Sequence, residues 1–318
     1  MLSRVAESIY WMNRYIERAE NIARFIEVNL NLLLDAPEGL DQQWEPIIAT
    51  TGDREWFAEH YGEATEENVM YFLSFDKKYR SSILSCVTSA RENARSIREI
   101  ISSEMWEELN TFYFMVKDAA ARGTEVDWAT FFAEVKQASH LFDGLTHATM
   151  SHNEAWNFGR LGRYIERADK ITRILDVKYF LLLPSPGYVG SALDELQWTA
   201  LLRSASAYEM YRKSHRQHRL DPQAIAGFLL LDRQFPRSAY FCIQEAERSL
   251  YDIMGNTVGA WTNPAERNFS KLRTDLNYVV IEEVIEDGLH EFLARLQQRI
   301  DQLDDLIFAT FFELEAAA

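Results

Sequence analysis

The side chains that could do chemistry in this sequence are arginines and glutamates that recur at the same spacing in two places. RYIERAENIAR occupies residues 14–24, and RYIERADKITR occupies residues 163–173. On a helix that turns by about 100° per residue, the Arg and Glu side chains of each segment share one stripe, opposite an apolar arc. Guanidinium and carboxylate groups held in this way can clamp an anionic ligand, and a desolvated carboxylate can act as a general base.

Two interpretations of these segments are open. A solvated helix face would need only polarity, and its Glu–Arg pairs would contribute about 0.2–0.5 kcal/mol each. The recurrence of the same residue types at matched positions instead favours a constrained network, either around a ligand or between two helices. The candidate general bases are Glu17 and Glu166, and the candidate substrate-binding residues of the two segments are Arg14, Arg18, Asn21, Arg24, Arg163, Arg167 and Arg173.

Sequence similarity between the two halves extends beyond these segments. Residues 72–91 match residues 228–247, with Cys86 aligned to Cys242, and a weaker match pairs residues 131–150 with residues 292–311. Three matches in the same order, at slowly increasing offsets, are typical of a duplicated module with inserted loop residues. We therefore predict two repeats, the first over residues 1–150 and the second over residues 151–318.

The elements that position these side chains are predicted to be helices. Apolar residues recur with helical period through both halves, and neither strand alternation nor a βαβ rhythm appears. Long helices are predicted over residues 4–34, 81–101, 102–123 and 127–150, and over residues 156–183, 192–212, 236–254, 266–286 and 288–313. The predicted fold class is all-α, with two tandem related helical bundles packed in pseudo-two-fold symmetry.

Composition narrows the function classes. The chain has 318 residues, and 47% of them are hydrophobic, which disfavours disorder. Its net charge of −16 disfavours the binding of nucleic acid or anionic membranes. Cys86 and Cys242 form no CxxC motif, so we expect core thiols in a cytoplasmic protein. No apolar run is long enough to span a membrane. A metal site is not expected, because Glu17 and Glu166 lack a His three residues on.

A second charged phrase distinguishes the two halves. ARENAR, over residues 90–95, places Arg91 and Arg95 on one helix face, whereas the matching stretch AERSLY, over residues 246–251, lacks this pattern. The halves are therefore not equivalent here, and we expect a single site within a pseudo-symmetric shell.

Several segments together resemble the bacterial Alpha-E family over most of the chain. They are YWMNRYIERAENIAR, FLSFDKKYRSSILSCVTSARENARSIRE, SSEMWEELN, LGRYIERADKITRILD and FLLLDRQFPRSAYFC. The resemblance implies an all-helical protein that acts with a circularly permuted ATP-grasp protein and a transglutaminase-like protein in ATP-dependent amide or peptide-bond formation. It implies ATP and Mg for the partner only, with no cofactor bound directly, and it adds Asn93, Arg237 and Ser238 to the candidate binding residues, beside Arg91 and Arg95.

Three expectations follow for the function. The chain could bind an anionic substrate, a carboxylate or acyl-phosphate of an amino acid or peptide, with Glu17 or Glu166 as general base. It could instead be a non-catalytic scaffold that binds and stabilises the ATP-grasp partner. Finally, the charges of the two repeated segments could simply hold the two halves together, which burial without a pocket would favour.

Overall fold

The computed structural model describes residues 1–34, 44–180, 190–215 and 220–313, and within them it is all-helical, which confirms the all-α part of the predicted fold class. Fifteen α-helices are present in these ranges: α1 (Ser3–Leu34), α2 (Glu45–Thr51), α3 (Arg54–Tyr61), α4 (Glu66–Ser74), α5 (Ile83–Ser96), α6 (Ser103–Arg122), α7 (Trp128–Thr149), α8 (Glu154–Phe180), α9 (Ala192–Ser204), α10 (Tyr208–Ser214), α11 (Pro222–Leu231), α12 (Ala239–Met254), α13 (Pro264–Asn277), α14 (Ile281–Asp287) and α15 (Leu289–Ile307). None of them is long and apolar enough to cross a membrane.

Side-chain caps explain several of the helix boundaries. Ser102 accepts a hydrogen bond from the Met105 N–H at 3.2 Å and begins α6, which ends at Gly123 as the sequence predicts. Three predicted helices are shorter than expected or interrupted. The predicted helix over residues 266–286 is divided into α13 and α14 by residues 278–280. α5 ends at Ser96, and the predicted helix over residues 192–212 is divided into α9 and α10 at Ser206, whose φ is +50°.

The two helices that carry the repeated segments, α1 and α8, pack directly against each other. Two glycines of α8 allow the close approach. A Cβ on Gly162 would lie 2.5 Å from the backbone oxygen of Tyr10, and one on Gly159 would lie 2.8 Å from Nδ2 of Asn13. The helix backbones are therefore close enough for side chains of one helix to reach those of the other.

Helices from both halves surround this central pair. α5 and α7 pack on α1, while α12 and α15 pack on α8. In addition, α2 from the first half packs on α8, and α9 from the second half packs on α1. The polar stripes of α1 and α8 are consequently buried inside the protein.

Candidate functional site

The charged side chains of α1 and α8 form a network where the two helices meet, which we call the central network. One side of it is built around Glu166, whose side chain is fully buried. Arg18 binds it through two parallel hydrogen bonds, Nε to Oε1 at 2.7 Å and Nη2 to Oε2 at 2.8 Å. Nε of Arg14 donates to the same carboxylate at 3.0 Å. Such paired geometry is the strongest form of Arg–carboxylate contact, and here it joins α1 to α8.

Glu17 is bound in the reverse direction. Arg167 of α8 donates from Nε to Oε1 at 2.9 Å and from Nη2 to Oε2 at 2.7 Å. Asn21 adds a hydrogen bond to Oε1 at 2.9 Å, and Arg237, from the segment before α12, donates to the same oxygen at 3.3 Å. The Glu-Arg dipeptide of each central helix therefore binds the Glu-Arg dipeptide of the other.

A second reciprocal contact lies further out. Arg14 forms an ion pair with Asp304 of α15, and Arg163 forms one with Asp143 of α7. Sequence reasoning missed both aspartates as site residues. They occupy aligned positions in the match of residues 131–150 with residues 292–311, so that alignment held the signal needed to find them.

A third reciprocal contact involves the last arginine of each segment. Arg24 donates to the backbone oxygen of Ser204 at 3.2 Å, and Arg173 donates to that of Thr50 at 3.2 Å. These oxygens lie at the carboxyl ends of α9 and α2, where the helix dipole favours a cation. Each arginine thus fixes a helix of the opposite half.

The remaining cations differ between the two sides. Nζ of Lys170 lies 2.7 Å from Asp169 and 3.5 Å from Glu166, whereas the aligned residue of α1 is the neutral Asn21. On the other side, Arg237 pairs with Glu17 and with Glu20. The pair Glu166 and Asp169 thus has Lys170 of the same helix as its additional cation, whereas the pair Glu17 and Glu20 has Arg237 from the segment before α12.

Comparison with known proteins identifies the family. The family model for Alpha-E, described as a predicted alpha-helical domain with a conserved ER motif, matches residues 1–312. The chain belongs to the Alpha-E family. Two Glu-Arg dipeptides of this chain, at residues 17–18 and 166–167, form the centre of the network.

Curated relatives of this Alpha-E protein are found in mycobacteria. An uncharacterized protein of Mycobacterium bovis is 23% identical over 333 residues, which cover 96% of this chain and 36% of the relative. An uncharacterized protein of Mycobacterium tuberculosis is 22% identical with the same coverage. The chain therefore spans about a third of the length of these relatives. No solved structure matches it.

The electrostatic surroundings keep the network of this Alpha-E protein ionised. Burial by itself would raise the pKa of Glu17, but Arg167 and Arg237 outweigh it and hold that pKa below its usual value. Burial is likewise outweighed at Glu166, where Arg18 holds the pKa well below the ordinary range. A general base at neutral pH works best with a pKa near 7. These surroundings therefore favour an ion-pairing role for both glutamates over the predicted role as general bases.

Two spaces that the described residues form beside the network are small. One, of about 10 Å³, is lined by Glu17, Glu20, His140 and Arg163 among others. Another, of about 40 Å³, is lined by residues that include Arg18 and Lys170. A single water needs roughly 10–15 Å³, so these spaces hold one or a few waters but not an amino acid.

Four of the predicted binding residues lie outside the network, contrary to the expectation of one converged site. Nε of Arg91 donates to Asn110 of α6 at 2.7 Å, and its guanidinium lies over the ring of Tyr113. The side chain of Arg95 is 69% exposed and pairs with Glu92 of its own helix. Cations over aromatic rings of a neighbouring helix are stabilised where they are, which directs Arg91 away from α1. The other two residues are Asn93, beside them on α5, and Ser238.

The hydroxyl of Ser238 caps a helix. This hydroxyl accepts the N–H of Phe241 at 3.1 Å and donates to the backbone oxygen of Asp232. Ser82, at the aligned position, accepts the N–H of Ser85 at 3.1 Å and so caps α5 in the same way. The hydroxyl is thus already used to begin α12.

Possible metal ligands and the two cysteine thiols are the remaining reactive groups. Among the residues that the structure describes, no group of three or more His, Cys, Asp or Glu side chains is placed to hold a metal ion. Burial raises the pKa of Cys86 and of Cys242 to about 12, so both are neutral thiols at physiological pH.

Proposed function

We propose that this Alpha-E protein is a non-catalytic helical binding component of an ATP-dependent amide-forming system. The observation that supports this most directly is the mutual saturation of Glu17 with Arg167 and of Glu166 with Arg18 inside the protein. Because these glutamates and arginines bind one another, and the two spaces beside them are too small for an amino acid, we infer that they serve to join α1 to α8. Substrate chemistry then belongs to the partner.

The family resemblance supplies the partners in this proposal. A circularly permuted ATP-grasp protein would hold ATP and Mg and activate a carboxylate, and a transglutaminase-like protein would process the product. The Alpha-E chain would bind the amino-acid or peptide substrate, or the partner itself, in the cytoplasm. It would need no cofactor of its own.

We also propose that the fold arose by internal duplication, with repeats over residues 1–150 and 151–318 related by a pseudo-two-fold axis between α1 and α8. Three sets of contacts support the proposal because each occurs twice, with the halves exchanged: Arg18–Glu166 and Arg167–Glu17, Arg14–Asp304 and Arg163–Asp143, and Arg24–Ser204 and Arg173–Thr50. Reciprocity of this kind is what a self-complementary interface produces.

The rival function is a catalytic one, in which the arginines hold an anionic substrate and Glu17 or Glu166 accepts a proton from an incoming amine. It would require α1 and α8 to separate, because the substrate would have to replace the bound arginines. An opened site would leave several buried charges without partners, at a cost of several kcal/mol each.

Two substitutions distinguish these functions. Glu17→Gln and Glu166→Gln should each lower the free energy of unfolding by about 3 kcal/mol or more, because the facing arginine loses its charged partner in a buried setting. Amide formation by the ATP-grasp partner, measured below the melting temperature, should stay within about twofold of wild type. Glu286→Gln, at an exposed position, is the control. The proposal is wrong if either variant keeps its stability and abolishes turnover.

A further inference from the structure

A separate groove of about 830 Å³ lies on the first half, where α1, α4, α5 and α6 meet. Phe75 and Leu84 are buried at its base, and Tyr15 and Tyr113 contribute aromatic walls. Its volume falls in the range of roughly 300–1,000 Å³ that is typical of ligand sites. Unlike the spaces beside the central network, it can hold a molecule of several residues.

The charge of the groove is opposite to that of the whole chain. Lys77, Arg80 and Lys117 line it and are exposed, and none of its lining residues is Asp or Glu. Within the described ranges, none of these cations forms an ion pair with a carboxylate. In a protein with a net charge of −16, a groove lined by these cations attracts an anionic group more strongly than the surrounding surface does.

Small side chains keep the groove open. Ser85 and Ser89 of α5 align with Phe241 and Glu245 of α12. On α12 the larger side chains find partners within the protein: the rings of Phe241 and Tyr164 lie 6.1 Å apart, and Glu245 forms an ion pair with Arg160. The corresponding face of the second half is thus filled by its own residues, whereas that of the first half is left available.

We propose that this groove binds an acidic peptide, a short extended segment that carries several carboxylates and at least one apolar side chain. The carboxylates would pair with Lys77, Arg80 and Lys117, and the apolar side chain would pack on Phe75 and Leu84. The inference rests on the proposed function as a binding component, and it assigns to that function a substrate class and a place. The occupant is the substrate peptide rather than a segment of the partner.

Binding to the isolated Alpha-E chain tests the inference. The probe is a short fluorescein-labelled peptide that alternates Glu with Phe or Leu, followed by fluorescence polarisation. Binding should weaken as salt rises, because the contacts are exposed ion pairs. The triple variant Lys77→Glu, Arg80→Glu, Lys117→Glu should bind at least about tenfold more weakly. The control is Lys213→Glu, Lys271→Glu, Arg295→Glu, which makes the same change in net charge at exposed positions of the second half and should stay within about twofold.

A charge-neutral variant tests the shape of the groove. Ser85→Phe installs the residue that fills the aligned face of α12, so it should weaken peptide binding by a similar factor without altering any charge. The proposal is overturned if the triple variant binds as tightly as wild type, if a Lys-for-Glu version of the peptide binds equally well, or if a single-stranded oligonucleotide binds in place of the peptide. It is also overturned if the triple variant keeps the peptide and loses only the ATP-grasp partner.

These outcomes are independent of the test of the proposed function. The glutamine variants at Glu17 and Glu166 change the central network, whereas the groove variants change a different surface. Catalysis by the glutamates would refute the non-catalytic role and leave peptide binding to be measured on its own.

Discussion

At the residue scale, the network is unusual in placing several carboxylates in the protein interior with a cation for each. Glu17, Glu20 and Glu166 are at most 2% exposed. Burial alone would favour the protonated form, but the facing arginines reverse this effect and hold the pKa of all three carboxyls below the ordinary value. The stability of the protein is therefore linked to their ionisation.

We expect the free energy of unfolding to fall steadily in acid. The unfolded chain takes up protons near the ordinary carboxyl pKa of about 4, whereas the folded chain takes them up only at lower pH. The contribution of these groups is thus complete above about pH 5 and is lost as pH falls toward their folded pKa values. Asp169, a buried carboxyl of the same network, has its pKa lowered to about 2 and contributes in the same way. Urea titrations over this interval measure the slope. Glu166→Gln should show a shallower slope, and a wild-type slope of zero would contradict the linkage.

The residue scale also shows how far the sequence predicts the site. Recurrence of Arg and Glu predicts a constrained network, but the pairing of Arg18 with Glu166 depends on how two helices cross, which one sequence does not specify. The contacts of Arg91 are not predictable from one sequence either, because its position is set by the aromatic residues of α6, over which its guanidinium lies. Its spacing from Arg95 carried no information about that contact.

At the scale of elements, the contact between α1 and α8 depends on two glycines as much as on charge. Gly159 and Gly162 align with Tyr10 and Asn13, so the two helices are not interchangeable at their amino-terminal ends. The all-helical class and most long helices are predictable from apolar periodicity and caps. The short helices α2, α3 and α4 are not, because their sequences are too brief to show a period.

Gly162→Ala tests this dependence. The new methyl group would lie 2.5 Å from the backbone oxygen of Tyr10, so α1 and α8 must move apart and the Arg–Glu hydrogen bonds must lengthen. We expect a loss of about 1–3 kcal/mol in the free energy of unfolding, measured by urea denaturation. Gly144→Ala in α7, which meets nothing within 4 Å, is the matched control and should gain about 0.5–1 kcal/mol from helix propensity. Equal effects at the two positions would contradict the close approach.

At the scale of the whole molecule, the two halves hold each other's elements. α2 packs on α8 and α9 packs on α1, so neither half contains all of the neighbours of its own central helix. The charges follow the same pattern, because Arg18 of the first half satisfies Glu166 of the second and Arg167 satisfies Glu17. Stability is therefore a property of the two halves together, because each half depends on the other for part of its packing.

Separate expression of the halves follows from this arrangement. Residues 1–150 alone would expose the charged stripe of α1 and the apolar residues around it. A second copy of α1 cannot replace α8, because Tyr10 and Asn13 occupy the positions where α8 has its glycines. We expect this fragment to lack a cooperative thermal transition by circular dichroism, and to acquire one when it is co-expressed with residues 151–318 and purified as a one-to-one complex. Introducing Glu17→Gln into the fragment should weaken that complex, since it leaves Arg167 without its carboxylate. If residues 1–150 melt cooperatively as a monomer at the temperature of the full chain, the interdependence of the halves is wrong.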